Sequence, residues 1–257
     1  MTLVKAKKRL GQHFLKDLFV ARHIADSLPA GCALPVLEIG PGMGVLSRFV
    51  IERPNRFTAI EIDRESVEYL RQNLSELHVI EGDFLKMDLD SLFEGGKFAV
   101  IGNFPYNISS QIFFRVLSQR NRIPCLVGMV QKEVAERIAA PHGNKTYGIT
   151  SVLLQAFYDI EYLFTVPEHV FDPPPKVKSA VIRLTRNATE RLDCDEKLFV
   201  RVVKTAFNQR RKTLRNSLKP MMQGAACAEP IFDKRPEQLS VADFVDLTNL
   251  MATKMNV

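Results

Sequence analysis

Between Pro35 and Val130 short apolar runs alternate with stretches of helical periodicity, and this alternation restricts the fold more than any other feature of the chain. The runs Pro35–Ile39, Phe57–Ile62, His78–Ile80, Phe98–Ile101 and Cys125–Val130 have strand length. Between them Val45–Ile51, Arg64–Leu74 and Ser110–Leu117 space their apolar residues as helices do. Repeated strand–helix–strand units need crossover connections, so a mostly parallel sheet with helices on both faces is expected. A leading helix is expected over Asp17–Leu28, with Leu18, Val20, Ala21, Ile24, Ala25 and Leu28 on one side and Asp17 as its cap. Beyond Gln131 the pattern predicts a helix to Ala140, a Gly143–Gly148 loop and a helical run through Gln155. Strands follow at Tyr158–Thr165 and Ser179–Thr185, forming an antiparallel edge. After about Arg186 only helical patterns remain, at Lys197–Phe207, Lys212–Leu218 and behind Ser240. The expected fold class is therefore α/β over residues 1–186, with a small all-helical domain over 187–257.

Of the 257 residues 46% are hydrophobic and 25% charged, which supplies a substantial core and excludes disorder or a fibrous repeat as the main state. Cys32, Cys125, Cys194 and Cys227 are widely separated and form no CxxC pair, so neither a disulfide scaffold nor a structural zinc site is expected. The basic stretch from Met1 to Asp17 has no continuous apolar segment, and Cys125–Val130 is too short to cross a bilayer. A cytoplasmic protein without a membrane partner is the expectation.

Four stretches carry chemistry. Val36-Leu37-Glu38-Ile39-Gly40-Pro41-Gly42-Met43-Gly44 is an apolar strand running into alternate glycines and then a helix, which lets backbone N–H groups approach a ligand. A dinucleotide fingerprint would place its third glycine at Val45, so the spacing favours an amino-acid-bearing adenosine over a pyrophosphate. Glu61, rather than Asp63, is the acid held within the second strand and suited to both hydroxyls of a ribose. After the third strand, Asp83 can accept an adenine amine while Phe84 covers the ring. After the fourth, Asn103-Phe104-Pro105-Tyr106 combines an amide, a proline-fixed turn and an aromatic ring. The Asn103 side-chain oxygen and the Phe104 carbonyl can take the two hydrogens of a planar amine while Tyr106 stacks on its ring.

In this order the motifs resemble those of S-adenosylmethionine-dependent amino-methyltransferases. The stretches Lys8 to Leu15, Tyr147-Gly148, Val170 to Ala180 and Phe207 to Leu214 narrow the resemblance to the KsgA/RsmA family of small-subunit ribosomal RNA adenine dimethyltransferases. The resemblance implies a Rossmann-like class I methyltransferase sheet and S-adenosylmethionine as cofactor. It also implies N6,N6-dimethylation of two adjacent adenosines near the 3′ end of 16S ribosomal RNA, late in assembly of the 30S subunit. His13, Leu15, Gly40, Gly42, Glu61, Asp83, Phe84 and Asn103 would hold the cofactor. Asn103, Phe104, Pro105 and Tyr106 would form the catalytic segment, and Phe171 would cover the target adenine opposite Tyr106. A 23S ribosomal RNA adenine methyltransferase of the antibiotic-resistance type is the alternative, because it shares the catalytic motifs.

Because the cofactor's sulfonium is already electrophilic, alignment is the main task and no metal is expected. The target base must leave its stack to reach the cleft. With no Trp in the chain, stacking falls to residues such as Tyr106 and Phe171. The net charge of +6 is concentrated before and after the sheet. Lys5, Lys7, Lys8, Arg9 and Lys16 form one cluster, and Lys197, Arg201, Lys204, Arg210, Arg211, Lys212, Arg215 and Lys219 another. Lys8, Arg9, Lys176, Lys178, Arg210, Arg211 and Lys212 are the expected RNA contacts. A monomer acting on the assembling small subunit is the expected form.

Overall fold

The apolar runs form strands and the periodic stretches form helices. The computed structural model describes residues 4–222 and 228–255. Cys227 and the first three residues, both part of the sequence expectations, lie outside the described residues. In chain order the elements are β1 (Phe14–Leu15), α1 (Leu18–Asp26), β2 (Val36–Ile39), α2 (Ser47–Ile51), β3 (Phe57–Glu61), α3 (Arg64–Asn73), β4 (His78–Glu81), β5 (Ala99–Asn103), α4 (Ser109–Ser118) and β6 (Cys125–Gln131). They continue with α5 (Lys132–Ala139), α6 (Ile149–Gln155), β7 (Tyr158–Val166), β8 (Phe171–Asp172), β9 (Ser179–Arg186), α7 (Glu196–Asn208), α8 (Leu214–Ser217), α9 (Lys219–Met222) and α10 (Val241–Met255). Local chemistry sets several starts. Asp17 accepts the Val20 N–H at 3.0 Å, Asp63 caps α3, Asp195 accepts the N–H groups of Lys197 and Leu198, and Ser240 and Asp243 cap α10 reciprocally.

Seven strands form one sheet in the order β4-β3-β2-β5-β6-β9-β7. From β4 to β6 every pair is parallel, and β9 lies antiparallel to β6 from Gln131↔Ser179 to Cys125↔Thr185. Strand β2 is buried along its whole length, as a central parallel strand covered on both faces must be. The chain builds outward from β2 to β4 and then returns to place β5 on the other side of β2. That reversal makes a topological switch point, outside whose strand C-termini a ligand crevice forms.

Two compact units emerge, Met1–Ala135 with Ile160–Arg186 and Glu136–Asp159 with Asn187–Val257. The second begins earlier than the sequence boundary after Arg186, because α6 belongs to it: Val152, Leu153 and Leu154 are buried, and α6 packs on α7 and α10. Within this unit the buried ring of Tyr147 meets Phe207 edge-on at 6.2 Å, and Phe207 stacks with Phe244 at 5.9 Å. Among the described residues no helix is long and apolar enough to cross a membrane, and no group of three or more His, Cys, Asp and Glu residues is placed to hold a metal ion.

A second, two-stranded sheet escaped the sequence pattern because each strand has only two residues. Strand β1 pairs antiparallel with β8, Phe14 opposite Asp172 and Leu15 opposite Phe171. Strand alternation turns Asp172 outward and Phe171 inward, into a core shared with Leu15, Ala21, Ile24 and Val181. Phe171 has no exposed surface and does not line the cleft, so the expected sandwich of an adenine between Phe171 and Tyr106 is not what the structure presents. Phe171→Ala is accordingly expected to cost about 3–5 kcal/mol of stability as a core truncation. Denaturant unfolding checks this; an unchanged midpoint would contradict the burial.

Candidate active site

The sharp turn after β2 starts the site. Gly40 and Gly42 sit at φ 68° and 58°, where a side chain would be strained, so glycine is required to bring the backbone round the end of the strand. The Gly40 N–H donates to Ile60 O at 2.9 Å, and the Gly42 N–H donates to the Glu61 carboxylate at 3.0 Å. Glu61, the last residue of β3, also accepts the Asp63 N–H at 2.8 Å. Burial pushes the Glu61 carboxyl up against these two hydrogen bonds, with a net rise. A carboxylate has about four acceptor positions, so capacity remains beyond these bonds.

Asp63 is committed elsewhere. It pairs with Lys7 Nζ at 2.5 Å and accepts Gln12 Nε2 at 3.3 Å. Burial alone would raise its carboxyl, but the bonds from Lys7 and Gln12 outweigh that effect and hold it below its usual value. Residues Lys7 to Lys16 thus form a strap. Gly11, at φ 64°, ends a short 3-10 turn, and a Cβ there would come within 2.4 Å of Asn107 Oδ1. Asn103 Nδ2 donates to His13 O at 2.9 Å, His13 Nδ1 lies 2.7 Å from Pro173 O, and the Lys16 N–H donates to Val170 O at 2.9 Å.

One cleft brings together most of the residues that the sequence nominated. His13, Leu15, Gly40, Gly42, Glu61, Asp83, Phe84, Asn103, Phe104, Pro105 and Tyr106 all line it. Phe84 is buried, while Asp83 is partly exposed and accepts the Leu85 N–H at 2.9 Å. The Phe104 ring is buried edge-on to Phe113 at 5.9 Å, and a Cβ at Gly128 would fall 2.4 Å from it. Its N–H donates to Met129 O at 3.0 Å, so the peptide at the head of the motif is fixed to β6. Lys8, Arg9, Lys176 and Lys178 are exposed outside the cleft. In the other unit Arg211 and Lys212 are exposed and Arg210 donates to the Lys145 carbonyl. Lys7, counted in the basic cluster, is held by Asp63 and Glu65, and Arg215 by Asp233.

Sequence reasoning missed the strap contacts, since Lys7 and Asp63 are 56 residues apart with no spacing rule to join them. It also passed over Glu38, which lines the cleft from β2 and accepts the Ser47 hydroxyl at 2.6 Å. A charged residue inside a fully apolar strand was the available signal. Burial pushes the Glu38 carboxyl from 4.5 up to about 8. The native state therefore holds this proton more tightly than the unfolded chain, so the stability it contributes is full below pH 4.5 and is lost as pH rises through 8. Glu38→Gln is expected to flatten the decline of stability over that window, measured by urea midpoints across pH; parallel profiles for the two proteins would rule it out.

Comparison with known proteins places the chain in a family. The ribosomal RNA adenine dimethylase family matches over residues 3–253. Proteins called ribosomal RNA small subunit methyltransferase A are 65% identical over 253 residues in Parabacteroides distasonis and 63% over 254 in Bacteroides thetaiotaomicron. The matches cover 96% and 97% of this chain and 94% and 95% of those relatives. Among solved structures, a dimethyladenosine transferase from Plasmodium falciparum aligns with a TM-score of 0.79 at 26% identity, over 94% of this chain and 98% of the other. The 23S rRNA methyltransferase ErmE aligns at 0.69 and 26%, over 92% and 99%. With its glycine turn, Glu61 and the Asn103 to Tyr106 segment gathered in one cleft, the chain belongs to the ribosomal RNA adenine dimethylase family.

Proposed function

We propose that this protein dimethylates N6 of two adjacent adenosines near the 3′ end of small-subunit ribosomal RNA, using S-adenosylmethionine. The observation that carries the reading is the meeting of Asn103-Phe104-Pro105-Tyr106 with Glu61 and the glycine turn in one cleft, within this family. The residues suit the cofactor. A Cβ at Gly40 would meet nothing within 4 Å, so the turn leaves open space beside it, and the buried Glu61 carboxylate has acceptor capacity for a ribose. Asp83 and Phe84 would take the adenine, and His13 and Leu15 would cover the cofactor from the strap. When bound, S-adenosylmethionine supplies an electrophilic methyl group.

The chain's own part is to hold the target nitrogen in line. Asn103 Nδ2 is used by His13 O, which sets the amide so that Oδ1 is its free acceptor. Oδ1 and the Phe104 carbonyl would accept the two hydrogens of the N6 amine. This draws the lone pair out of conjugation with the ring and favours the positive charge that develops on nitrogen. The Phe104 N–H, bonded to Met129 O, and the buried Phe104 ring hold the residue that bears that carbonyl. After the first transfer only one N–H remains to be accepted, so the pocket must admit a methyl where a hydrogen was. Extruding the base from its stack costs a few kcal/mol, and stacking on Tyr106 returns about 1–3 kcal/mol.

The exposed Lys8, Arg9, Lys176, Lys178, Arg211 and Lys212, with Arg210, would neutralise RNA phosphates. A monomer acting in the cytoplasm on the assembling 30S subunit completes the reading. The 23S alternative has the ErmE likeness behind it, but relatives at 65% and 63% identity over nearly the whole chain favour the small subunit.

Incubating undermethylated small subunits, and separately large-subunit RNA, with labelled cofactor and reading methylated adenines by mass spectrometry tests the proposal. Two dimethyladenosines in the small-subunit RNA are expected; label confined to large-subunit RNA would overturn it. Asn103→Ala should lower turnover about a hundredfold or more through misalignment, and near-normal methylation by that variant would contradict the mechanism. Arg211→Ala and Lys212→Ala should each reduce the slope of log affinity against log salt by about 0.7–1 for RNA binding, and an unchanged slope would remove them from the interface.

A further inference from the structure

We infer that Ser179 is a positioning residue for methyl transfer, acting by tethering the hydroxyl of Tyr106 and so fixing the plane of the ring on which the target adenine stacks. This rests on the reading of Tyr106 as that stacking ring.

Tyr106 lies in the loop between β5 and α4, where a half-buried aromatic ring has freedom to swing. Two contacts remove that freedom. On one face the ring stacks with His13 at a centroid distance of 5.3 Å and an interplanar angle of 28°, and His13 is itself tied to Pro173 O. At the far end the Tyr106 hydroxyl lies 2.5 Å from Ser179 Oγ. Burial raises the Tyr106 phenol above its ordinary value, so it stays protonated and can donate.

Ser179 is suited to be the fixed end of this bond. It is fully buried and opens β9, where it faces Gln131 in the antiparallel ladder. The adjoining Lys178 carbonyl accepts the Lys132 N–H at 2.9 Å, which closes the ladder just beyond it. A single side-chain torsion places this serine's oxygen and its backbone is part of the central sheet, so the tether transmits the position of β6 and β9 to the ring. With 5.3 Å between ring centres there is no room for a base between His13 and Tyr106, which requires about 7 Å for two stacking distances. An adenine therefore uses the other face of Tyr106, and a ring tilted by loss of its tether would tilt the base with it. Near-attack alignment tolerates little such error.

The test compares Ser179→Ala, Tyr106→Phe, the double variant and Tyr106→Ala on undermethylated small subunits, with cofactor affinity measured alongside. Ser179→Ala and Tyr106→Phe should each lower kcat/KM for RNA by about three- to tenfold, the worth of one hydrogen bond. Cofactor affinity should be unchanged, and the double variant should be no worse than either single one. Full additivity would show that Ser179 acts by general packing and overturn the inference. So would wild-type kinetics in both single variants while Tyr106→Ala is strongly impaired. Wild-type turnover by Tyr106→Ala would instead remove Tyr106 from substrate binding and with it the reading on which the tether depends. Thermal unfolding of each variant identifies any loss caused by misfolding, and a folded Tyr106→Phe carries the comparison if Ser179→Ala is unstable.

Discussion

Two buried carboxylates, two residues apart at the end of β3, hold the site in shape. Glu61 accepts the N–H groups of Gly42 and Asp63, which joins the glycine turn after β2 to the end of β3. Asp63 takes Lys7 and Gln12, which bring the strap across the cleft. Burying carboxylates is unfavourable unless they are hydrogen-bonded or paired, and here each is satisfied by the segment it must position. The same two residues show the two outcomes of burial: desolvation prevails at Glu61, and the lysine partner prevails at Asp63.

The strap joins the N-terminal segment to both Asn103 and Tyr106. Its carbonyl at His13 orients the Asn103 amide, and its His13 ring occupies one face of Tyr106. Leu15 extends it into β1, whose pairing with β8 carries Phe171 into the core. One short antiparallel pair thus sets Phe14 and Leu15 along the cleft and removes from it the aromatic ring that the family resemblance assigned to the substrate.

Much of the fold was legible because strand and helix periodicities are local. The five parallel strands, the Asp17 start and the helices after Arg186 all follow from patterns spanning fewer than about fifteen residues. The cleft residues after β2, β3, β4 and β5 were also legible, since they sit at strand ends that the parallel topology collects at one rim. Glu38 was visible as an acid within an apolar strand but carried no spacing signal toward Ser47. The sequence pattern groups residues 136–159 with the sheet because their strand and helix signals are contiguous with it, whereas the side chains of α6 find their partners on α7 and α10.

By itself the sequence determined the alternation of elements, the need for glycine after β2, the acids at the strand ends and the Asn103 to Tyr106 segment. Each is written in adjacent residues and constrained by backbone conformation or by strand periodicity. Tertiary structure alone decided which acid meets the strap, that Phe171 turns inward, that His13 stacks on Tyr106 and that Ser179 holds its hydroxyl. Those outcomes depend on pairs far apart in the chain, such as Lys7 and Asp63, 56 residues apart, and Tyr106 and Ser179, 73 apart, whose meeting is set by strand order, register and packing rather than by local pattern.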